Sequence, residues 1–359
     1  MIRSATAHIN LQALHHNLSV ARRRATSSKV LGVVKSDAYG HGLIPVAEVL
    51  APDVAGFAIS CLGEAEMLRQ AGYEGRIVLL HGIERQDELP DAVSLGVDLV
   101  VHQLVQCRWL EEASLPGPLD VWLKLDTGMH RLGIPETDFP ELHKKLQGIP
   151  GIRNVIAMTH LADADDQKSH YTQRQLKHFD EAIDGVDIEQ SCANSAAVLG
   201  HLDAHRDWVR PGIMLYGSSP FVHGNAMTEG LMPVMELTAP LIAIQQHRKG
   251  DTIGYGRTWT CPEDMKVGVV AIGYGDGYPR HVPSGTPVMI NGVIAPLVGR
   301  VSMDLVTIDL RDVPGAEIGM PVELWGNHVS VDTVASMAGT ISYELLCNAG
   351  PRAERSYAR

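Results

Sequence analysis

The sequence predicts an α/β protein: a closed (β/α)8 barrel of the TIM type over residues 1–228, then a mostly antiparallel β domain over residues 229–359. Three observations predict it. Eight short aliphatic runs alternate with helix-length amphipathic segments, as strands buried on both faces of a parallel barrel require. After residue 228 the texture changes to β-type runs separated by turns containing Gly or Pro. Finally, 45% hydrophobic residues with only 5% aromatic demand an aliphatic core, and 359 residues are more than one domain usually holds.

The elements follow in order. Leu11, Leu14, Leu18 and Ala21 recur at helical spacing, so residues 10–25 begin with a helix. Candidate strands lie at 30–35, 56–60, 76–81, 97–101, 119–125, 153–159, 187–192 and 208–215. Patterns such as GEAEMLRQAG (63–72) and YTQRQLKHFDEAI (171–183) supply helices between them. In the second part VMELTAPLIAIQQ, KVGVVAIGYG, TPVMINGVIAPLVG and SMDLVTIDL read as strands, with Asn291-Gly292 marking a tight hairpin. One or two helices close the chain near 331–347.

Charge and cysteine usage narrow the function. With 42 acidic against 30 basic residues the net charge is −12, which repels phosphate backbones and anionic bilayers. No nucleic-acid or membrane partner is expected, and no apolar run approaches the ~18 residues of a membrane span. The five cysteines are scattered without CxxC spacing, so reduced thiols, a cytoplasmic location and no metal are expected. The start, MIRSATAHINLQALHHNL, lacks the apolar core of a signal peptide.

Polar residues stand at the downstream ends of the barrel strands. Lys35 ends the first, Lys124 and Asp126 the fifth, and His160 the sixth; Asn194 and Ser195 follow the seventh, and Arg210 lies in the eighth. A barrel of this type carries its site at that mouth. Packed behind Val33 and Val34, Lys35 loses hydration, which lowers its pKa and frees its lone pair to condense with an aldehyde. The glycine in RPGIMLYG (210–217) suits a backbone anion nest, and Asn194-Ser195 begins a helix whose donors suit phosphate. These parts fit pyridoxal phosphate, and equally a phosphosugar aldolase.

The motifs VVKSDAYGHG (33–42), LKLDTGMHRLG (123–133), ANSAA (193–197), VRPGIMLYG (209–217), GYGRTW (254–259), AIGYGDGYPR (271–280), VGRVSMDL (298–305) and ISYELL (341–346) together resemble bacterial alanine racemases over nearly the whole chain. The resemblance implies a pyridoxal 5'-phosphate enzyme that interconverts L- and D-alanine, working as a homodimer with shared active sites. It implies that Lys35 holds the cofactor and serves as one base, while Tyr274 from the partner subunit is the other. Tyr39, Asn194, Ser195, Gly212, Ile213 and Tyr343 match the phosphate site, and Arg210 with His160 matches the pyridine-nitrogen side. Arg131, Met303 and Asp304 match the substrate-carboxylate side, and Lys124 matches a lysine often carbamylated beside Arg131. One departure stands in the first motif: the family commonly has Ala-Asn where this chain has Ser36-Asp37. A serine or broad-specificity racemase of the same fold is the alternative.

Racemisation removes a proton from one face of a carbon and returns one to the other, so two bases are the simplest solution. A tyrosine with an unperturbed pKa near 10 needs help to act near neutrality, and His160 and Arg210 are the expected assistants of Tyr274. Arg210 offers donors only, so a pyridine nitrogen facing it stays unprotonated, favouring racemisation over transamination.

Overall fold

The computed structural model describes residues 5–115, 117–222, 224–349 and 352–358. Strand β1 (Thr6–Asn10) runs directly into helix Leu11–Arg24, capped by the Asn10 side chain, which accepts the Ala13 N–H at 2.9 Å. Eight parallel strands then close a barrel: β2 (Lys29–Val33), β3 (Gly56–Ile59), β4 (Arg76–Leu79), β5 (Val97–Val101), β6 (Leu119–Lys124), β7 (Ile152–Met158), β8 (Gln190–Ser191) and β9 (Trp208–Val209). The ring shuts where Lys29 pairs with Trp208 and Val30 with Val209. Apart from their first residues, β2 to β6 are buried throughout, which is why they read as unbroken aliphatic runs.

Two strands are shorter than their sequence patterns suggest. The run expected at 208–215 ends at Val209, because Pro211 lacks an N–H for the ladder and the chain turns into a 3-10 helix at Ile213–Tyr216. The run expected at 187–192 keeps only Gln190 and Ser191; the Gln190 N–H goes to the Asp207 carboxylate at 2.8 Å instead of a neighbouring strand.

Beyond the barrel lies a second sheet, built around the long strand β10 (Met235–His247). A small hairpin follows, β11 (Thr252–Ile253) with β12 (Trp259–Thr260), then β13 (Met265–Val270), β14 (Pro287–Ile290), β15 (Val293–Pro296), β16 (Val306–Asp309), β17 (Pro321–Trp325) and β18 (Glu354–Ala358). The order is β15-β14-β17-β10-β1-β18, with β13 pairing β10 and β16. Asn291 and Gly292 turn between β14 and β15 at φ 50° and 77°, the positive values a two-residue hairpin loop requires.

β1 belongs to this second sheet and not to the barrel, antiparallel to β10 and parallel to β18. Its alternating burial, with Ala7 and Ile9 inward, is that of a half-buried strand. Helices Val331–Ala338 and Ser342–Asn348 precede β18, and one hydrophobic core runs through barrel and sheet. All five cysteines are free. Among the described residues, no helix is long and apolar enough to cross a membrane.

Candidate active site

Two residues past the end of β2, Lys35 leads into a segment of unusual backbone. Ser36, Asp37, Ala38 and Tyr39 all lie at φ between 52° and 56°, and Gly40 follows at φ 80°. This is a left-handed helical turn made of four non-glycine residues, each costing about 1–2 kcal/mol against the right-handed alternative. Surrounding groups hold it. Glu64 accepts the Ser36 N–H at 2.6 Å and the Ser60 N–H at 2.8 Å. Buried His41 approaches the Tyr39 and Ala38 carbonyls through Nδ1 at 2.9 and 3.1 Å. Tyr39 stacks on Tyr216, ring centroids 4.6 Å apart, and the Tyr216 hydroxyl donates to the Val33 carbonyl at 2.9 Å. Asp37 Oδ1 accepts the Leu43 N–H at 2.7 Å, capping helix Leu43–Leu50.

The turn opens onto a cavity of about 460 Å³ at the C-terminal mouth of the barrel. Its lining brings together Lys35, Tyr39, Lys124, Arg131, His160, Asn194, Ser195, Arg210, Gly212, Ile213 and Tyr343, from five barrel strand ends and one C-terminal helix. Lys35, Lys124, Arg131 and Arg210 supply four cationic side chains, and no Asp or Glu is among the lining residues. In a chain of net charge −12 that is a local reversal of sign.

Burial and mutual repulsion follow from that composition. Lys35 is held below the ordinary lysine range, first by burial and then by the Arg131 charge. Lys124 is lowered to about 8 by burial, Arg210 and Arg131. His160 is pushed well down by burial and by Arg210, so it is neutral. Burial brings Arg210 down to about 10, which leaves it charged near neutrality. Arg210 donates to Ser191 Oγ at 2.6 Å, the Thr159 carbonyl at 2.8 Å and the Cys192 carbonyl at 3.2 Å, and meets His160 Nδ1 at 3.3 Å. Neutral His160 therefore accepts at Nδ1 and carries its proton on Nε2. Arg131 returns to Lys124 because the loop between them is closed: Ile134 N–H donates to the Lys124 carbonyl at 2.8 Å, and Asp126 N–H to the Ile134 carbonyl at 3.0 Å.

The opposite wall offers hydrogen-bond donors. Asn194 caps the helix Ser195–Gly200 by accepting the Ala197 N–H at 3.0 Å, which fixes Ser195 at its first position. Ser195 Oγ in turn accepts the Gly212 N–H at 2.8 Å and the Met214 N–H at 3.4 Å. A Cβ at Gly212 would press on the Tyr39 hydroxyl, so the bare glycine keeps the cradle open. Burial pushes the Tyr39 and Tyr343 phenols above their ordinary value, leaving both protonated as donors.

Three expected residues lie elsewhere on the same chain. Tyr274, Met303 and Asp304 are absent from this lining and cluster on the second sheet's loops. There Gly275 N–H donates to the Met303 carbonyl at 2.8 Å, and Arg352 bridges Asp276 and Asp304 at 3.0 Å each. Tyr274 and Met303 are exposed. Conversely, His81 and Cys347 line the cavity without having been singled out in the sequence. His81 ends the run at 76–81, the signal that marks Lys35, and burial together with Lys35 lowers its pKa. Cys347 comes from helix Ser342–Asn348, which carries no strand-end signal. A second cavity of about 790 Å³ adjoins the first, sharing His160, Asn194 and Tyr343.

Known proteins resemble this chain over its whole length. Residues 9–220 match the family model of the alanine racemase N-terminal domain, and residues 234–357 that of the C-terminal domain. The chain is 50% identical over 349 residues to an alanine racemase of Nitrosococcus oceani, covering 97% of this chain and 98% of the relative. It is 48% identical over 356 residues to one of Halorhodospira halophila, covering 99% and 98%. The crystal structure of the biosynthetic alanine racemase from Pseudomonas aeruginosa superimposes with a TM-score of 0.97 at 44% identity over 100% of both chains. None of the three is named as a serine or broad-specificity racemase. With both domains matched and the whole length covered, this chain belongs to the alanine racemase family.

Proposed function

We propose that this chain is a cytoplasmic enzyme that interconverts L- and D-alanine with pyridoxal 5'-phosphate, as a homodimer with shared active sites. Residues 1–228 hold the cofactor together with Tyr343 of the second domain, and residues 229–359 supply the second base to the other subunit's pocket. The observation that carries this reading is the cavity lining: four cationic side chains without a carboxylate, one of them a lysine whose protonated form burial disfavours.

The residues present fit the cofactor. A depressed lysine suits covalent attachment of an aldehyde. Ser195, the backbone N–H of Ile213, and the protonated phenols of Tyr39 and Tyr343 suit a phosphate, with the Gly212 N–H holding the Ser195 hydroxyl in place and Asn194 holding the helix that presents it. Donor-only Arg210 suits an unprotonated pyridine nitrogen. Bound there, the cofactor withdraws electrons from the substrate α-carbon and makes its proton removable.

The remaining work falls to side chains. Lys35 Nζ takes or returns the α-proton on one face, and the phenol oxygen of the partner subunit's Tyr274 serves the other. Arg210 and neutral His160 share a hydrogen bond that fixes the imidazole tautomer on the pyridine side. Arg131 meets the substrate carboxylate, with the partner subunit's Met303 and the partner subunit's Asp304 bordering it. Lys124, lowered to about 8, has a neutral fraction able to add carbon dioxide; the resulting carbamate would attract Arg131 instead of repelling it.

Borohydride reduction of the purified protein should fix the cofactor mass on the peptide containing Lys35, and L-alanine in deuterium oxide should yield D-alanine deuterated at Cα. Labelling at another lysine, or exchange without inversion in the wild type, would overturn the reading.

A further inference from the structure

The left-handed turn after Lys35 is restrained by Glu64 and His41 of the barrel domain, and also from the far end of the chain. Asp37 uses both carboxylate oxygens. Oδ1 caps Leu43, and Oδ2 forms an ion pair with Arg355 at 2.5 Å. Arg355 lies in β18, which is held in the second sheet by parallel pairing with β1. Two residues further on, the Tyr357 hydroxyl sits against Gly42, the last glycine of the turn, where a Cβ would collide with it. From the helix before β18, the Leu346 carbonyl closes on Gly40 in the same way.

We propose that β18 is a positioning element for Lys35: the Arg355–Asp37 ion pair holds the strained turn that presents the lysine amine to the cavity. The inference rests on Lys35 holding the cofactor. Asp37 is itself one of the four left-handed residues and stands two positions from the lysine, so a pull on its carboxylate acts on the backbone that carries the amine. Both side chains are partly exposed, Asp37 by 45% and Arg355 by 29%. A pair of that exposure adds little to global stability. Its effect is local, on which backbone conformation the turn keeps, because a turn this strained persists only where neighbours over-determine it. An asparagine would keep the Leu43 cap, whereas only the carboxylate also pairs with Arg355.

The test uses the full-length protein loaded with pyridoxal phosphate, following release of the cofactor to hydroxylamine by its visible absorbance, with thermal unfolding in parallel. Asp37→Asn retains an oxygen for the Leu43 N–H and removes the charge, so it carries the test even where Arg355→Met fails to fold. Each single variant should release cofactor roughly 5-fold faster than wild type, the scale of one such ion pair. The double variant should be no faster than either, and Arg355→Lys should restore most of the wild-type rate. Release rates equal to wild type in the single variants, or additive effects in the double, would overturn the proposal. A wild-type protein that takes no cofactor on Lys35 would instead overturn the assignment of Lys35 itself.

Discussion

Replacing Tyr274 by phenylalanine removes one oxygen from a side chain 42% exposed in the single chain, so folding stability should change by no more than about 0.5 kcal/mol. A rate loss is then chemical. Removing one general base costs about 10²- to 10⁴-fold, or about 3–5 kcal/mol of transition-state free energy. Because the two enantiomers have equal free energy, kcat/KM must fall by the same factor in both directions. What separates the faces is isotope exchange. Lys35 remains able to remove and return the proton on its own face, so in deuterium oxide Tyr274→Phe should deuterate the enantiomer whose α-proton faces Lys35 faster than it inverts it. Exchange into the other enantiomer should fall together with racemisation. Proton NMR follows the loss of the Cα hydrogen, and chiral chromatography follows inversion. Racemisation at the wild-type rate, or exchange as slow as inversion for both enantiomers, would refute the two-base assignment.

The same substitution tests whether sites are shared. In one chain Tyr274 stands outside the cavity that holds Lys35. If the bases meet across a dimer, mixing Lys35→Ala chains with Tyr274→Phe chains creates heterodimers with one site that has both. Random reassortment should then recover about a quarter of wild-type specific activity from two inactive preparations. No recovery after verified subunit exchange would place both bases in one chain.

Three further substitutions probe the scaffold. Ser195→Ala removes the acceptor of the Gly212 N–H and a donor to phosphate; cofactor Kd should rise about 10- to 100-fold by fluorescence titration, and an unchanged Kd would remove Ser195 from the cradle. Gly40→Ala puts a side chain at φ 80° against the Leu346 carbonyl and should cost roughly 2–4 kcal/mol in urea unfolding; an unchanged midpoint would mean the turn relaxes freely. Asp98 is raised to about 6 by burial, despite Arg76 at 3.4 Å and the Trp122 indole N–H at 3.1 Å. The stability its protonation contributes is therefore full below 3.8 and lost as pH rises through about 6. Asp98→Asn should flatten stability across that window and leave the fold equally or more stable at pH 7.5, since Arg76 keeps Asp120 at 2.7 Å. A variant with the wild-type pH slope would show that another group titrates.

The barrel is legible because its strands are buried on both faces, so composition alone marks them, and because a barrel's chemistry sits at strand ends. That rule reaches Lys35, Lys124, His160 and Arg210, and it covers His81 as well, where a lone histidine at a rim invites no notice. The left-handed turn is not legible: four consecutive non-glycine residues at positive φ oppose local preference, and what enforces them, Glu64 and Arg355, is distant in sequence. The placement of β1 is hidden for the same reason, since its partner β10 begins more than two hundred residues later. The shortened β8 fails at a carboxylate that captures a backbone N–H, a tertiary outcome, and the shortened β9 at a proline.

One physical cause joins the depressed lysines, the neutral histidine and the chemistry of the proposed cofactor. After burial, Arg131 contributes to lowering Lys35, Lys124 and His160 alike, and Arg210 acts on Lys124 and His160. With no carboxylate in the lining, these cations repel one another, and the folded chain bears that cost. An anion entering the cavity relieves it, and because the unfolded chain has no such cluster, the relief appears as binding free energy. A phosphate and a substrate carboxylate are then favoured by the same field that keeps Lys35 ready to lose its proton. Adding one carboxylate to the lining would weaken anion binding and raise the lysine pKa together. The acidic residues that steady the turn, Glu64 and Asp37, bond its backbone from outside the cavity lining, and there the Glu64 charge offsets only part of the lowering of Lys35.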